Sequence, residues 1–516
     1  QPHHREPSAM NDNTAALLTE LRTLVGDLGK NGGQISPSVY DTAQTLRYAP
    51  PHAKSRPALE WLLAQQHPDG GWESPATPYA RDVPTLATLL ALWTYRQEPR
   101  IRAALEAGHA FLQRQAMQWA EPPIDALPIA AEMILPYLVE EANAVGITLK
   151  REAYRSLERL RQYKLQRIQP STLTPGTPPT HSWEALGQAA SGLLPDYSGG
   201  IGHSPAATAA WLRQAEQEPT LAEACAQARQ YLLRAAAATG LGLPGVVPNV
   251  WPITGFEQAY APYALLITGL IRHPVLQNAL ASTIDELWII MRRGHGLSFG
   301  EYFTPDVDDT GLATAVLEVA GRTVDPAYIL QFKQGDHFCT FRHELNPSVF
   351  ANAHALYGLA SAGERYLAAE QFLCDQQNVD GLWSAEKFHT SWLYTTLEVM
   401  LVLSKLGYTN EVKRAAAALV RKQKADGGWG SGARATRLES AYALIALATL
   451  RPYGLLDEAA EAAVRHGYQW LRQAYQPTVR ADDRFWLGKE PYTPYRVDRI
   501  YELSALLAVA LETVPQ

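Results

Sequence analysis

One element occurs three times in this chain: ‘QQHPDGGWES’ at 65–74, ‘QQNVDGLWSA’ at 376–385 and ‘KQKADGGWGS’ at 422–431. Each reads as a helix end, a glutamine, an Asp-Gly turn and a tryptophan. Glycine supplies the positive φ such a turn needs, aspartate favours the turn, and the tryptophan face can pack on the glutamine amide. The last two copies start 46 residues apart, about one helical hairpin, which is the spacing of stacked helix pairs. One copy falls in the N-terminal part and two in the C-terminal part, which predicts two toroids of paired helices. The turns themselves are architecture and not chemistry.

Helical periodicity fills the space between the turns. ‘RPALEWLLAQQ’, ‘TLATLLALWTY’, ‘AAEMILPYLVEEANAVG’, ‘YTTLEVMLVLSKLG’, ‘ESAYALIALATL’ and ‘ELSALLAVALETV’ carry apolar residues three and four apart, separated by Gly- and Pro-rich joints. No run of alternating β-branched residues competes, so the fold class is all-α. The segment 166–205, rich in Pro, Ser and Gly, reads as long loops of the kind that carry function.

Composition narrows the function. Hydrophobic residues make up 47% of the 516 and charged ones 19%, a globular balance with material for large cores. A net charge of −7 favours neither nucleic acid nor an anionic membrane. Cys225, Cys339 and Cys374 are scattered without CxxC spacing, which suits a reducing cytoplasm and indicates no thiolate metal site. The nine residues before Met10 read as expression remnant, and no secretory leader is read after them. The longest uncharged run contains ‘TGLGLPGVVPNVWP’, whose glycines and prolines exclude a membrane-spanning helix.

The most chemically loaded stretch is ‘TPDVDDTGLATA’, residues 304–315, where Asp306, Asp308 and Asp309 stand at the mouth of an apolar helix. Two readings are open. One aspartate caps a helix N-terminus well, and a second can help. A third mainly adds repulsion, and close carboxylates push one pKa up so that a proton is retained for acid chemistry.

The Gln–Asp-Gly–Trp repeats resemble the QW motifs of terpene cyclases, and ‘DVDD’ is similar to the DxDD acid of their class II, protonation-initiated branch. Further segments match in order along the chain. ‘SPSVYDTA’ (36–43) and ‘LPIAAEMILPYL’ (127–138) resemble segments of copalyl diphosphate synthases, as do ‘YKLQRI’, ‘HSWEALG’, ‘HSPAATAAW’, ‘GVVPNVWPI’ and ‘FWLGKEPY’. The likeness covers the chain from residue 36 onward and is greatest to the bacterial ent-copalyl diphosphate synthases of gibberellin producers. It implies a βγ architecture like that of squalene-hopene cyclase. One α/α barrel would be formed by 10–37 and 256–516, and a second, inserted barrel by 38–255. No DDxxD metal cluster is present, Asp482–Asp483 running into ‘RFW’, so the diphosphate of the product should be retained.

The resemblance also implies roles. The substrate would be geranylgeranyl diphosphate, with Asp308 the proton donor, Asp306 and Asp309 shaping its environment, and His354 its hydrogen-bonding partner. His181 and Asn249 would hold the water that removes the final proton. Lys164 and Lys489 would contact the diphosphate, and Glu132, with Asp125 as a second candidate, would serve Mg²⁺. The product would be ent-copalyl diphosphate, passing to a class I ent-kaurene synthase for gibberellin; the alternative is another bicyclic prenyl diphosphate, of a different copalyl stereoisomer or of the kolavenyl or drimenyl type. Self-association is left open. Taken singly, these residues also fit blander roles: a core histidine at 354, a solvated loop histidine at 181, loop capping by Asn249, surface charges at 132, 164 and 489. Among 13 Trp and 24 Tyr, Trp392, Tyr394 and Tyr357 are candidates for stabilising a migrating cation.

Three rival readings remain on sequence alone. An inverting glycoside hydrolase on an α/α toroid also needs a protonated carboxyl group. A non-catalytic toroid needs none. A prenyltransferase subunit needs a zinc set, of which ‘FLCDQQ’ (Cys374, Asp375) is a faint echo.

Overall fold

The computed structural model describes residues 12–51, 54–123, 127–168, 173–187, 192–342, 344, 346–477 and 483–513. Six helices, Thr254–Ile267, Val307–Val319, Val349–Ser361, Trp392–Leu406, Arg437–Ala448 and Tyr495–Ala510, each pack on the next, and the last packs back on the first. They form a closed inner ring. Outside it lie Pro274–Met291, Leu367–Asp375, Thr409–Lys422 and Glu458–Ala474, together with the N-terminal helix Asp12–Gly26. A second ring, entered after residue 38, is formed by Val39–Tyr48, Asp82–Leu92, Ala131–Ala144, the 3₁₀ run Pro178–Ala185 and Pro205–Ala215, closing again on Val39–Tyr48. The helices Ser55–Ala64, Pro99–Gln115, Arg155–Arg167 and Ala222–Ala238 surround it.

The sequence sorts inner from outer helices by how far around the apolar surface runs. Every residue from Leu393 to Ser404 is buried, as expected for a helix enclosed on all sides. The outer helix Glu458–Ala474 instead buries Ala460, Ala463, Val464, Gly467 and Leu471, a single stripe at helical spacing.

The three repeated turns share one geometry. The indole N–H of Trp72, Trp383 and Trp429 donates to the carbonyl of Leu62, Leu373 and Leu419 at 2.7–2.8 Å. The amides of Gln66, Gln377 and Gln423 each donate to a turn carbonyl and to the following outer helix. The glutamine thus bridges the turn to the outer helix. The backbone N–H of each tryptophan donates to a hydroxyl on the next inner helix: Thr85, Thr396 or Ser440. Two further turns reproduce that last bond without a tryptophan, Ile201 N–H to Thr208 and Leu297 N–H to Thr310. The triple-aspartate stretch therefore sits inside a degenerate copy of the repeat.

Two glycines set the closest helix crossing. A Cβ on Gly311 would stand 2.6 Å from the His354 carbonyl oxygen, and one on Gly358 would stand 2.5 Å from the Gly311 carbonyl oxygen. Both obstacles are backbone and cannot yield. Gly358→Ala is expected to separate the two helices and cost about 1–3 kcal/mol, read by chemical denaturation, with activity falling further because Asp308 and His354 part. Wild-type stability in that variant would show that the crossing is not tight.

Two short antiparallel ribbons complete the fold, Lys333–Gln334 with His337–Phe338 and Trp486–Leu487 with Pro491–Tyr492. The second reaches from the first ring into the other. Gly488 O accepts from Ile129 N–H at 2.9 Å, and the Glu490 carboxylate accepts from Val39 and Tyr40 N–H at 2.6 and 3.0 Å. No helix among the described residues is long and apolar enough to cross a membrane.

Candidate active site

Both readings of the triple aspartate hold, for different members. Asp306 is the N-cap of helix Val307–Val319, accepting from Asp309 N–H at 2.8 Å. Asp308, in the first turn of the helix, contacts two other helices. Its Oδ1 takes a short hydrogen bond from Nδ1 of His354, and its Oδ2 accepts from the Tyr260 hydroxyl at 2.5 Å. Asp306 and Asp309 are buried, whereas Asp308 is half-buried. Burial, then the charge of Asp308, carries Asp306 up to about 8. Burial and the two neighbouring carboxylates push Asp309 well above its ordinary range. The crowded pair is therefore protonated at neutral pH.

His354 is fully buried. Burial opposes its charge, but the carboxylates of Asp308 and Glu398 outweigh this and raise its pKa to about 9. The Glu398 contact, 3.1 Å from His354 Nε2, is an ion pair and not an in-line hydrogen bond. Sequence reading missed Tyr260 and Glu398 because each lies on an inner helix whose other residues are core.

Asp306, Asp308 and Asp309 open on a cavity with mainly apolar and aromatic walls. Its walls combine Phe256, Tyr260, Phe299, Phe350, Trp486 and Tyr492 from the first ring with Ile129, Pro178, His181 and His203 from the second. Most wall residues lie at, or in the turns just before, the N-termini of inner elements. The cavity therefore occupies the ends at which the two rings face each other. Sequence reading chose Trp392, Tyr394 and Tyr357 for this wall, and none of them lines it. Tyr394 stacks on His389 at 4.3 Å, and Tyr357 meets Tyr263 edge-on. The recoverable signal was an aromatic residue in the turns entering four of the six inner helices: Phe299, Phe341, Phe388 and Trp486.

His181 is on the cavity wall and buried. Its Nδ1–H donates to Gly202 O at 2.7 Å, which leaves Nε2 as the acceptor. Burial, then the Lys489 charge, lowers its pKa to about 3, so the ring is neutral. Asn249 is buried beside Gly488, donates to Glu490 O at 3.1 Å, and its Oδ1 has no partner among the described residues.

The three residues assigned to the anionic head are placed otherwise than a loop or surface reading suggests. Lys489 is fully buried, with Ser204 Oγ at 2.5 Å, Glu184 at 3.4 Å and Asp41 at 3.5 Å. Lys164 pairs with Glu132 at 2.5 Å. None of the three lines the cavity. Asp125 lies outside the described residues. Among the described residues no group of three or more His, Cys, Asp or Glu could hold a metal ion. A diphosphate-borne Mg²⁺ needs only one or two carboxylates, and Glu132 is the candidate.

The comparisons decide the family. A (+)-kolavenyl diphosphate synthase from Herpetosiphon aurantiacus is 42% identical over 510 residues, covering 96% of this chain and 98% of that one. The chain belongs to the class II diterpene cyclases. Residues 348–490 of the cyclase match the squalene-hopene cyclase C-terminal domain. An ent-copalyl diphosphate synthase from a Streptomyces species is 31% identical, with 96% of each chain covered. The solved ent-copalyl diphosphate synthase from Streptomyces platensis superposes with a TM-score of 0.77 at 28% identity, covering 96% of the cyclase and 98% of that chain.

Proposed function

We propose that this cyclase converts geranylgeranyl diphosphate into a kolavenyl-type bicyclic diphosphate, initiating with Asp308 and retaining the diphosphate. The observation that carries the reading is Asp308 opening on an aromatic cavity shared by the two rings, in a chain 42% identical to a kolavenyl diphosphate synthase. The Asp308 O–H proton passes to the terminal alkene, whose π pair forms the new C–H bond while the O–H pair stays on Asp308. Two further alkenes close two rings and leave a tertiary cation. An alkene is a very weak base, so the step depends on a dry, pre-set geometry. The charge left on Asp308 is met by the His354 imidazolium and the helix N-terminus.

A rearranged product requires the first cation to survive long enough for hydride or methyl shifts. The low proton affinity of His181 slows the first exit, and the faces of Phe256, Phe299 and Trp486 support charge by about 2 kcal/mol each where water is excluded. At the other end, the diphosphate would be held by Lys164 and, with Mg²⁺, Glu132. Lys489 would act by fixing the electrostatics beneath the cavity.

A second reading is ent-copalyl diphosphate, favoured by the free acceptors of His181 and Asn249, which suit a water-mediated early deprotonation. Its product would feed a class I ent-kaurene synthase towards gibberellin. Incubation with geranylgeranyl diphosphate and Mg²⁺, dephosphorylation and chiral gas chromatography–mass spectrometry separates the two. Kolavenyl alcohol is the expected product. Copalyl alcohol would replace the first reading by the second.

A further inference from the structure

We infer that Glu398, which touches neither the cavity nor the acid, is the positioning residue that holds His354 in its charged form behind Asp308. The inference rests on Asp308 as the donor and adds the origin of the charge that assists it.

The geometry is a chain of side chains across five inner helices. From Asp308 it runs through both nitrogens of His354, Nδ1 on Asp308 and Nε2 at 3.1 Å from Glu398. It ends where Glu398 accepts from the Tyr263 hydroxyl at 2.9 Å and from the Tyr501 hydroxyl at 3.4 Å. Glu398 and His354 are both 0% exposed. A fully buried carboxylate needs a counter-charge, and the His354 ring, 3.1 Å from Glu398, is the group placed to carry it. With Asp308 carrying the proton to be donated, Glu398 is the carboxylate that supplies the counter-charge.

Of the other groups facing this pair, the phenols are uncharged and Glu386 titrates near neutral pH. From the surrounding helices Tyr263, Tyr357, Tyr394, Tyr442 and Tyr501 all feel the Glu398 charge, and burial raises each phenol first. Tyr260 bonds the far oxygen of Asp308. Glu386, which faces Asp308 from the turn before Trp392–Leu406, is carried to about 7, chiefly by burial. The charged members of the chain are thus Glu398 and His354, and after proton transfer Asp308. When the proton leaves Asp308 the new carboxylate meets an imidazolium already in place, with no charge to be brought in from water.

Glu398→Gln tests this, because the amide keeps the shape and loses the charge. The alkaline limb of the kcat profile should move towards acid by about one pH unit or more, with kcat at pH 8 lowered about tenfold and KM within about twofold of wild type. Histidine-labelled NMR of the folded, substrate-free protein gives a readout independent of turnover. An imidazolium signal lost in His354→Asn should persist at pH 8 in wild type and be gone in Glu398→Gln. An unchanged limb and unchanged signal in the Gln variant would overturn the inference, as would a neutral His354 at pH 8 in wild type, even if the variant failed to fold. Loss of donor function at Asp308 is tested separately by its own variant, so the two failures are distinguishable.

Discussion

Replacing Asp308 with asparagine is expected to lower kcat by about 10³-fold or more, since the amide keeps the shape of the site and has no proton to give. The neighbours do not substitute. Asp306 is committed to capping its helix, and Asp309 is more enclosed than Asp308. Binding of the diphosphate should be nearly unchanged, because Asp308 contacts His354 and Tyr260 and none of the residues assigned to the diphosphate. Asp306→Asn should be milder, on the order of tenfold, because asparagine caps as well as aspartate and matches a carboxyl group that is already neutral. Single-turnover rates with each variant check both numbers. The reverse ranking, with Asp306→Asn dead and Asp308→Asn active, would move the donor to the cap. Asp306 also leaves a mark on stability. Its pKa rises from 3.8 to about 8 on folding, so the folded state binds more protons in between. Stability from this group is greatest below pH 3.8 and falls as pH rises towards 8. Thermal unfolding of wild type should carry that slope, and Asp306→Asn should reduce it by this group's share, since burial also raises Asp41, Asp82, Glu386 and Glu490.

The fold was legible because its two main signals are local. Helices apolar all round, such as Trp392–Leu406, read as inner; striped helices, such as Glu458–Ala474, read as outer. The Asp-Gly–Trp turns mark the joints between them. What escaped the eye was set by partners far along the chain. Ile201 and Leu297 take the tryptophan place in two further turns, and the signature that survives is a bond to Thr208 or Thr310 across the ring wall. The inner place of Pro178–Ala185 was unreadable as helix because prolines open it and its turns are 3₁₀. At the site, the family resemblance pointed to Asp308 and His354, and they meet because they sit on neighbouring inner helices that cross at Gly311 and Gly358. Lys489 looked like a loop charge free to meet a diphosphate. Its partners Asp41 and Glu184 lie 448 and 305 residues away, and no local pattern foretells that enclosure. The choice among bicyclic products depends on lifetimes of cations that differ by a few kcal/mol at most, which single residue types do not encode.

His181→Ala should change what is made more than how fast. Initiation at Asp308 is untouched, since His181 belongs to the second ring and bonds only Gly202 O. The first bicyclic cation is common to the kolavenyl and copalyl routes, so the argument does not depend on which is native. Removing the imidazole opens space on the cavity wall for a water; Asn249 does not line that wall, but its buried Oδ1 has no partner among the described residues and is the acceptor we assign to orient it. A tertiary cation captured by that water gives a hydroxylated bicyclic diphosphate. A change of about 1.4 kcal/mol between capture and proton loss shifts the partition about tenfold. Asn249→Ala should move it less, because it removes the orienting atom along with the barrier. The assignment is falsified if both Ala variants stay active and yield only the wild-type product. A loop role for His181 predicts that result. Hydroxylated product in His181→Ala, with initiation intact, instead places the end of the reaction in the second ring and its start in the first.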